Sequence, residues 1–375
     1  MKEVTPLRSD RWMSIALSIA GDSHKRSGLP CQDASAAAVD QIEQWAYAIV
    51  SDGHGSERYF RSDRGAKIAV EVLIAAFDNA KRFALDTSNG QGILKNWEDW
   101  APQWVLAQWR RLLYEDLLAD PPSVPGVEAP EPGLTRLLDH IREQKGYAAV
   151  VALCRQIDSF GELAGRLGGV LPEGSMLPDV SDPRWRDDAI GDWQVQAYGA
   201  TLLGVLVSPQ ILLWFQLGDG AMVEVRNGTA AYLVPPHDAA IANEAPSLCM
   251  PDAVRLVRVG GYEIGPEGVP ESLLMATDGI PNFYETIEGF FEFCATIAHL
   301  ATTSADVDEK LSGWLPAISA SGSGDDVSVA IVKTATADLS ADEAAVVSAS
   351  SEEPATNAAA ETKASECQEP NAEKG

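Results

Sequence analysis

Basic residues are scarce in this chain. Only 28 lysines and arginines stand against 55 aspartates and glutamates, which gives a formal net charge of −27 over 375 residues. A surface of that sign repels the phosphate backbone of nucleic acids, so no DNA or RNA partner is expected. An acidic protein can still bind phosphate where bound cations reverse the local charge.

Cysteines and long apolar runs are also few. The five cysteines are scattered without any CxxC pair, which indicates neither a disulfide framework nor a zinc site and favours a reducing, cytoplasmic compartment. No apolar run approaches the roughly 20 residues of a membrane span, so no membrane partner is expected. Residues 12–20 are apolar and follow a basic leader, but Glu3 and Asp10 in that leader favour a first β-strand over an export signal.

Three common signatures of catalysis are missing. The sequence contains no GxSxG segment, which argues against a serine hydrolase of the nucleophile-elbow type. It contains neither a GxxxxGK[ST] phosphate loop nor a kinase HRD segment. The chemistry must therefore be sought in other residue types.

Hydrophobic periodicity predicts a mixture of strands and helices. Asn227-Gly228 predicts a two-residue hairpin turn between two of the strands. The predicted strands are residues 12–20, 45–51, 195–207, 211–217, 221–226, 229–234, 254–259, 272–277 and 326–333, and the predicted helices are residues 64–85, 96–118, 283–301 and 305–318.

Two stretches differ from the rest in composition. Residues 120–193 contain the loop-like segments PPSVPG and APEPG, and we predict an insertion or lid-like segment within one domain of residues 1–334. Residues 335–375 are rich in Ala, Ser, Thr and Glu and contain no aromatic residue. Such a composition cannot bury enough apolar surface to offset ordering entropy, so a disordered acidic tail is predicted there.

Aspartates recur at the ends of the predicted strands. An isolated Asp before Gly is usually a turn residue, but strand ends from several strands can converge on one edge of a sheet. Clustered carboxylates repel one another unless cations lie between them, and ligands that are all oxygen favour Mg²⁺ or Mn²⁺. The candidate metal ligands are Asp33, Asp52, Asp219, Asp278 and Asp325.

His54 follows Asp52 by two residues, in the segment SDGHGS. A histidine in a glycine-rich loop is often only a local hydrogen bonder. Beside a metal-binding carboxylate, however, its imidazole could donate a proton to a leaving oxygen. Two divalent ions in such a site can activate a water molecule for in-line attack at phosphorus.

Five motifs in order resemble those of the type 2C family of metal-dependent protein phosphatases, in its bacterial branch. SDGHGS is the most specific of them. The motifs are QDA (32–34), SDGHGS (51–56), GATLLGVLVSP with LGDG (199–220), MATDGI (275–280) and GDDVSVAIV (324–332).

The resemblance implies an α+β fold, a four-layer α-β-β-α sandwich of two antiparallel sheets flanked by helices. It implies hydrolysis of phosphoserine and phosphothreonine in other proteins by direct attack of a hydroxide that bridges two Mn²⁺ or Mg²⁺ ions. By position, the resemblance implies that Asp52 and the Gly53 carbonyl bind metal and that Asp278 and Asp325 complete the coordination of the second ion. It implies that Asp33 acts through metal-bound water. A serine/threonine kinase is an expected functional partner.

Other features of the resemblance leave alternatives open. Asp219 falls where the family can hold a third ion, and His54 takes the place of the general acid. The family arginine that grips the substrate phosphate corresponds here to Gly28. The predicted replacements are His24 and Arg26, with Lys25, Arg58 and Arg61 as alternatives.

Two further substitutions separate the chain from the family pattern. Asn282 replaces an acidic residue, and Asp326 replaces an asparagine. A non-catalytic relative that binds phosphoproteins or a kinase is the alternative function. The presence of Asp52, Asp278 and Asp325 favours the active enzyme.

Overall fold

The computed structural model describes residues 12–40, 42–86, 89–120, 195–237, 245–300, 304–322 and 324–334. The predicted insertion beyond Asp120 and the predicted tail lie outside these residues.

Ten strands in the described residues pair antiparallel in two five-stranded sheets. Sheet A has the order β1 (Trp12–Ile19), β10 (Val327–Thr334), β9 (Ser272–Ala276), β6 (Ala221–Arg226) and β7 (Thr229–Val234). Sheet B has the order β2 (Ala34–Asp40), β3 (Trp45–Ser51), β4 (Leu202–Val207), β5 (Ile211–Leu217) and β8 (Arg258–Glu263).

The helices of the described residues differ widely in length. None of them has both the length and the apolar character needed to cross a membrane. They are α1 (Asp22–Ser27), α2 (Ser62–Asp86), α3 (Gly90–Ala119), α4 (Ala253–Leu256), α5 (Ile287–His299) and α6 (Ser304–Ser321).

Alternation along the strands produces three apolar layers. On β3, Ala48 and Val50 face the other sheet, whereas Ile49 faces the helices. Helices α2 and α3 pack on the outer face of sheet B, around Trp97 and Trp109. Helices α5 and α6 cover the outer face of sheet A. The predicted four-layer α-β-β-α sandwich is confirmed.

Two predicted strands are wrong in extent. The strand predicted over 195–207 begins only at Leu202, because residues 195–196 are helical and residues 197–198 form a turn, with Gly199 N donating to Gln196 O. The first half of the strand predicted over 254–259 lies in the short helix α4, and β8 begins at Arg258 and continues to Glu263. Glycine has low strand propensity, which hid β8, yet Gly260 fits there because its α-carbon passes under the Trp214 ring.

Candidate metal centre

The register of sheet B brings two predicted ligands to one end. Ala34 pairs with Ser51 across β2 and β3. Asp33 directly precedes Ala34 and Asp52 directly follows Ser51, so the two carboxylates leave the sheet side by side. Asp33 is 5% exposed, and Asp52 is partly buried.

Sheet A places the other three predicted ligands next to the ends of its strands. In that sheet Ala276 pairs with both Ala221 and Val329. Asp278 therefore follows β9 at the end where Asp219 precedes β6 and Asp325 precedes β10. Of these, Asp278 is partly buried, whereas Asp219 and Asp325 are exposed.

Thr277 joins the two sheet ends. Its hydroxyl donates to Asp33 Oδ2 at 2.9 Å, and its oxygen accepts from Ser328 N at 2.9 Å. Thr277, at the end of a sheet A strand, thus holds the carboxylate of Asp33, at the start of a sheet B strand. The five aspartates thus lie at the adjoining ends of the two sheets.

Electrostatics confirms that the carboxylates are neighbours. Burial, opposed by the Thr277 hydrogen bond, raises the pKa of Asp33 to about 8. Burial, followed by the charges of Asp33 and Asp278, raises the pKa of Asp52 well above its usual value. Burial, then the charge of Asp219, raises the pKa of Asp278 to about 6. Each carboxylate resists ionisation chiefly because the site is desolvated and already acidic.

This donor set fits divalent cations. Clustered carboxylates gain from a positive charge placed between them, and oxygen ligands suit Mg²⁺ and Mn²⁺. Within the described ranges, no three Asp, Glu, His or Cys side chains are close enough together to form a complete ligand cluster. The aspartates are gathered near one another without making a closed coordination shell.

Asn282 contacts one of the candidate ligands. Its side-chain Nδ2 donates to Asp278 Oδ2 at 3.1 Å. The amide therefore occupies one acceptor position of Asp278, where an acidic side chain would instead add negative charge. A third ion beside Asp219 would have to share Asp278 with this donor.

The loop that contains His54 is held like a short strand. Gly53 forms an antiparallel bridge with Ala200, and His54 N donates to Gly199 O at 3.1 Å. Thr201 bonds Asp52 on both sides: its N donates to Asp52 O at 2.8 Å, and its Oγ1 accepts from Asp52 N at 2.9 Å. The backbone of residues 52–54 is thereby fixed on residues 199–201.

Gly53 has no room for a side chain. An added Cβ would overlap the Gln32 carbonyl oxygen and lie 2.9 Å from the Ser62 carbonyl oxygen. Both neighbours are backbone atoms, so they cannot rotate away. The loop reaches its place between Gln32 and Ser62 only because residue 53 is glycine.

We therefore expect Gly53→Ala to displace the loop and to lower the metal-dependent phosphatase turnover that the sequence motifs predict by about 100-fold, the usual effect of a displacement near 1 Å. Steady-state kinetics with an aryl phosphate and Mn²⁺ measures this loss. Gly313→Ala is a suitable control, because nothing lies within 4 Å of a Cβ added at that helical glycine. Wild-type turnover by Gly53→Ala would contradict the tight packing of the loop.

The two predicted phosphate-binding residues differ in their exposure to solvent. His24 is 6% exposed, and its Nδ1 lies 2.9 Å from Asp326 Oδ1. Arg26 is exposed, and its Nη2 is 4.0 Å from the place a Cβ would take at Gly324, beside Asp325. Both lie near the start of β10, and their role in binding phosphate stays a prediction.

Asp326 is a residue whose role the sequence did not reveal. It is 4% exposed and accepts hydrogen bonds from Gly21 N and Gln32 N, both at 2.6 Å, in addition to its contact with His24. It therefore ties the segment that leads to Asp33 to the strand that follows Asp325. Only its place as the last residue of the GDD segment could have suggested this position.

Comparison with known families gives one match. The sequence profile described as protein phosphatase 2C matches residues 20–316 of the chain. A search of curated protein sequences finds no match.

Three solved phosphatase structures illustrate the similarity, each with a TM-score below 0.5. A bacterial serine phosphatase superposes with a TM-score of 0.45 at 12% identity, covering 87% of this chain and 99% of that chain. The serine/threonine phosphatase Stp1 of Staphylococcus aureus has a TM-score of 0.42 at 12% identity, with coverage of 87% and 95%. The catalytic domain of the serine/threonine phosphatase PstP, in complex with two manganese ions, has a TM-score of 0.38 at 13% identity, with coverage of 87% and 99%.

Proposed function

Since the chain belongs to the protein phosphatase 2C family of serine/threonine phosphatases, we propose that its aspartate cluster is the catalytic centre for hydrolysing phosphoserine and phosphothreonine in proteins. The observation that carries the proposal is the meeting of five motif aspartates at one end of the sandwich. The raised pKa values of Asp33, Asp52 and Asp278, caused first by burial, support a role for these three as ligands rather than as surface charges.

The residues that would hold the metal ions are Asp52, the Gly53 carbonyl, Asp278 and Asp325, with Asp33 acting through water and Asp219 at an additional position. When bound, two divalent ions would supply a water of lowered pKa as nucleophile and would neutralise charge on the phosphoryl group. The protein's own part is to fix these ligands from both sheets, through Thr277 and the ladder between residues 52–54 and 199–201.

His54 is the proposed proton donor to the leaving oxygen. Its ring packs on Tyr59, with centroids 4.6 Å apart and planes inclined by 50°. An alkoxide leaving from serine or threonine needs a proton far more than a phenolate does, so the donor matters most for the protein substrate.

His54→Ala should therefore lower the turnover of a phosphothreonine peptide by about 10²- to 10⁴-fold, the usual contribution of general acid catalysis. Turnover of an activated aryl phosphate should fall much less. The two substrates are compared at saturating Mn²⁺, with His237→Ala as a histidine control outside the cluster. An equal loss on both substrates would remove the proton-donor role.

The activity itself is tested by metal dependence. Purified protein is assayed with an aryl phosphate and a phosphothreonine peptide in Mn²⁺, in Mg²⁺ and with excess chelator. Turnover of both substrates that vanishes with chelator supports the proposal. Binding of the peptide without turnover under all three conditions would instead favour the non-catalytic binding module.

The proposal extends to the domain organisation of the chain and to its functional partner. Residues 120–193 are proposed to be an insertion within a phosphatase domain of residues 1–334, because Asp116 near the end of α3 bonds the hydroxyl of Tyr198, just before β4. Residues 335–375 are proposed to be a separate acidic tail. A serine/threonine kinase that phosphorylates the same substrates is the proposed counterpart in the cytoplasm.

A further inference from the structure

A hydrogen-bond network centred on a buried tyrosine lies next to the proposed proton donor. Tyr198 is 0% exposed, and its hydroxyl oxygen accepts from Arg61 Nη1 at 2.7 Å. The same hydroxyl donates to Asp116 Oδ2. Arg61 Nη1 also lies 3.3 Å from Asp116 Oδ2, so the three side chains bond to one another in a closed ring.

The network is balanced in charge. Arg64 adds a second cation, with its Nη1 3.0 Å from Asp116 Oδ2 and its Nη2 2.7 Å from Asp120 Oδ2. Two arginines thus face two aspartates around one neutral hydroxyl. Burial, and then the hydrogen bond to Asp116, raises the pKa of Tyr198, which keeps that hydroxyl a donor.

Tyr198 is also fixed through its backbone. Arg61 N donates to Ala197 O at 2.9 Å, which attaches the segment before Tyr198 to the residue that precedes α2. A Cβ added at Gly65, in the first turns of α2, would overlap the Tyr198 carbonyl oxygen. The helix therefore meets the Tyr198 peptide at the closest approach that a glycine allows.

A single residue, Gly199, lies between Tyr198 and the His54 ring. Gly199 accepts the hydrogen bond of His54 N at 3.1 Å. A Cβ added at Gly199 would lie 2.8 Å from His54 Cδ2 and 2.7 Å from the Tyr59 ring, so both rings pack directly on this glycine. A shift of Tyr198 would reach the imidazole through one peptide unit.

We propose that Tyr198, held by Arg61 and Asp116, is a positioning residue that sets the direction in which His54 presents its imidazole to the leaving oxygen. The inference rests on the proposed role of His54. Tyr198 does not touch the substrate and acts through Gly199. Loss of its hydroxyl would therefore slow only those reactions that need the proton.

The test removes one oxygen atom from the network. Tyr198→Phe keeps the ring that fills the core. It should lower turnover of a phosphothreonine peptide about tenfold and change turnover of an activated aryl phosphate less than about twofold. Tyr262→Phe is the matched control, because the Tyr262 hydroxyl also bonds an arginine and a carboxylate, Arg226 and Glu224, on the edge strand β8. That control should keep wild-type turnover of both substrates.

A double variant separates positioning from a general effect on stability. If Tyr198 acts through His54, Tyr198→Phe should cause no further loss of peptide turnover in the His54→Ala background. Additive losses, an equal loss on both substrates, or wild-type kinetics in Tyr198→Phe would each overturn the inference while leaving the phosphatase assignment intact. If His54→Ala alone keeps full peptide turnover, the proton-donor proposal fails together with this inference.

Asp116→Asn examines the same network from α3. The side chain keeps its shape but offers Tyr198 and Arg61 a neutral partner. We expect the same selective loss with the phosphothreonine peptide, again about tenfold at most. A loss confined to the aryl phosphate would overturn the inference.

Discussion

Asp52→Asn is expected to reduce Mn²⁺-dependent turnover by on the order of 10³-fold while making the metal-free protein more stable. The two effects have one cause. Asp52 lies among other carboxylates in a desolvated site, which raises its pKa well above the usual value. Asparagine has nearly the same shape but no charge, so it relieves repulsion and removes a metal ligand.

The effect on stability should depend on pH with a definite sign. Unfolded Asp52 ionises near its ordinary pKa, whereas folded Asp52 holds its proton to higher pH, so folding loses free energy as the pH rises through this interval. In excess chelator, the thermal midpoint of Asp52→Asn should therefore exceed that of the wild type by more at pH 8 than at pH 5. A smaller gap at pH 8 would contradict the raised pKa.

Metal addition supplies the complementary measurement. Wild-type protein at about 100 times the metal dissociation constant should gain about 2.7 kcal/mol of unfolding free energy, and Asp52→Asn should gain much less. Asp78→Asn is the control, because Asp78 pairs with Lys81 on the surface of α2 and carries the same charge change. Full activity and normal metal stabilisation in Asp52→Asn would refute the site assignment.

Asp326→Ala is the second variant with a large expected effect, a loss of about 3–5 kcal/mol in unfolding free energy. The carboxylate is 4% exposed and satisfies Gly21 N, Gln32 N and His24 Nδ1. Alanine would leave all three donors buried without an acceptor. Denaturant unfolding in the presence of chelator measures the loss without a contribution from metal.

Asp40→Ala is the matched control for this variant. Asp40 also accepts two backbone N–H groups, from Ile42 at 3.0 Å and Glu43 at 2.9 Å, but at an exposed turn. Water can replace those bonds, so we expect a loss of only about 0.5–1.5 kcal/mol. Similar losses of unfolding free energy in the two variants would show that burial does not strengthen the contribution of Asp326 to stability.

Much of the fold was accessible from the sequence because its strands are strongly apolar. β5, β6 and β7 begin and end where hydrophobic periodicity and the Asn227-Gly228 turn predict. Asn227 and Gly228 both have positive φ angles, 49° and 69°, as a tight hairpin turn requires. Local pattern and tertiary structure agree in this part of the chain.

Other elements depend on contacts that sequence patterns do not record. β2 escaped prediction because ASAAAVD has little apolar bulk, and its strand character comes from pairing with β3. The ligand aspartates could be recognised from strand-end motifs. The residues that support them could not be recognised, because Thr277 and Thr201 bond to aspartates that are far away from them in sequence.

The origin of the ligands in both sheets has a mechanical consequence. Asp33 and Asp52 leave one sheet, while Asp219, Asp278 and Asp325 leave the other, so ionisation of these carboxylates in the metal-free protein would set like charges against one another across the two sheet ends. Cations bound between them would replace this repulsion with attraction and would link the two sheets. Loading with metal would thus tighten the whole end of the sandwich, and the opening motions of β3 and β10 at that end would become rarer together.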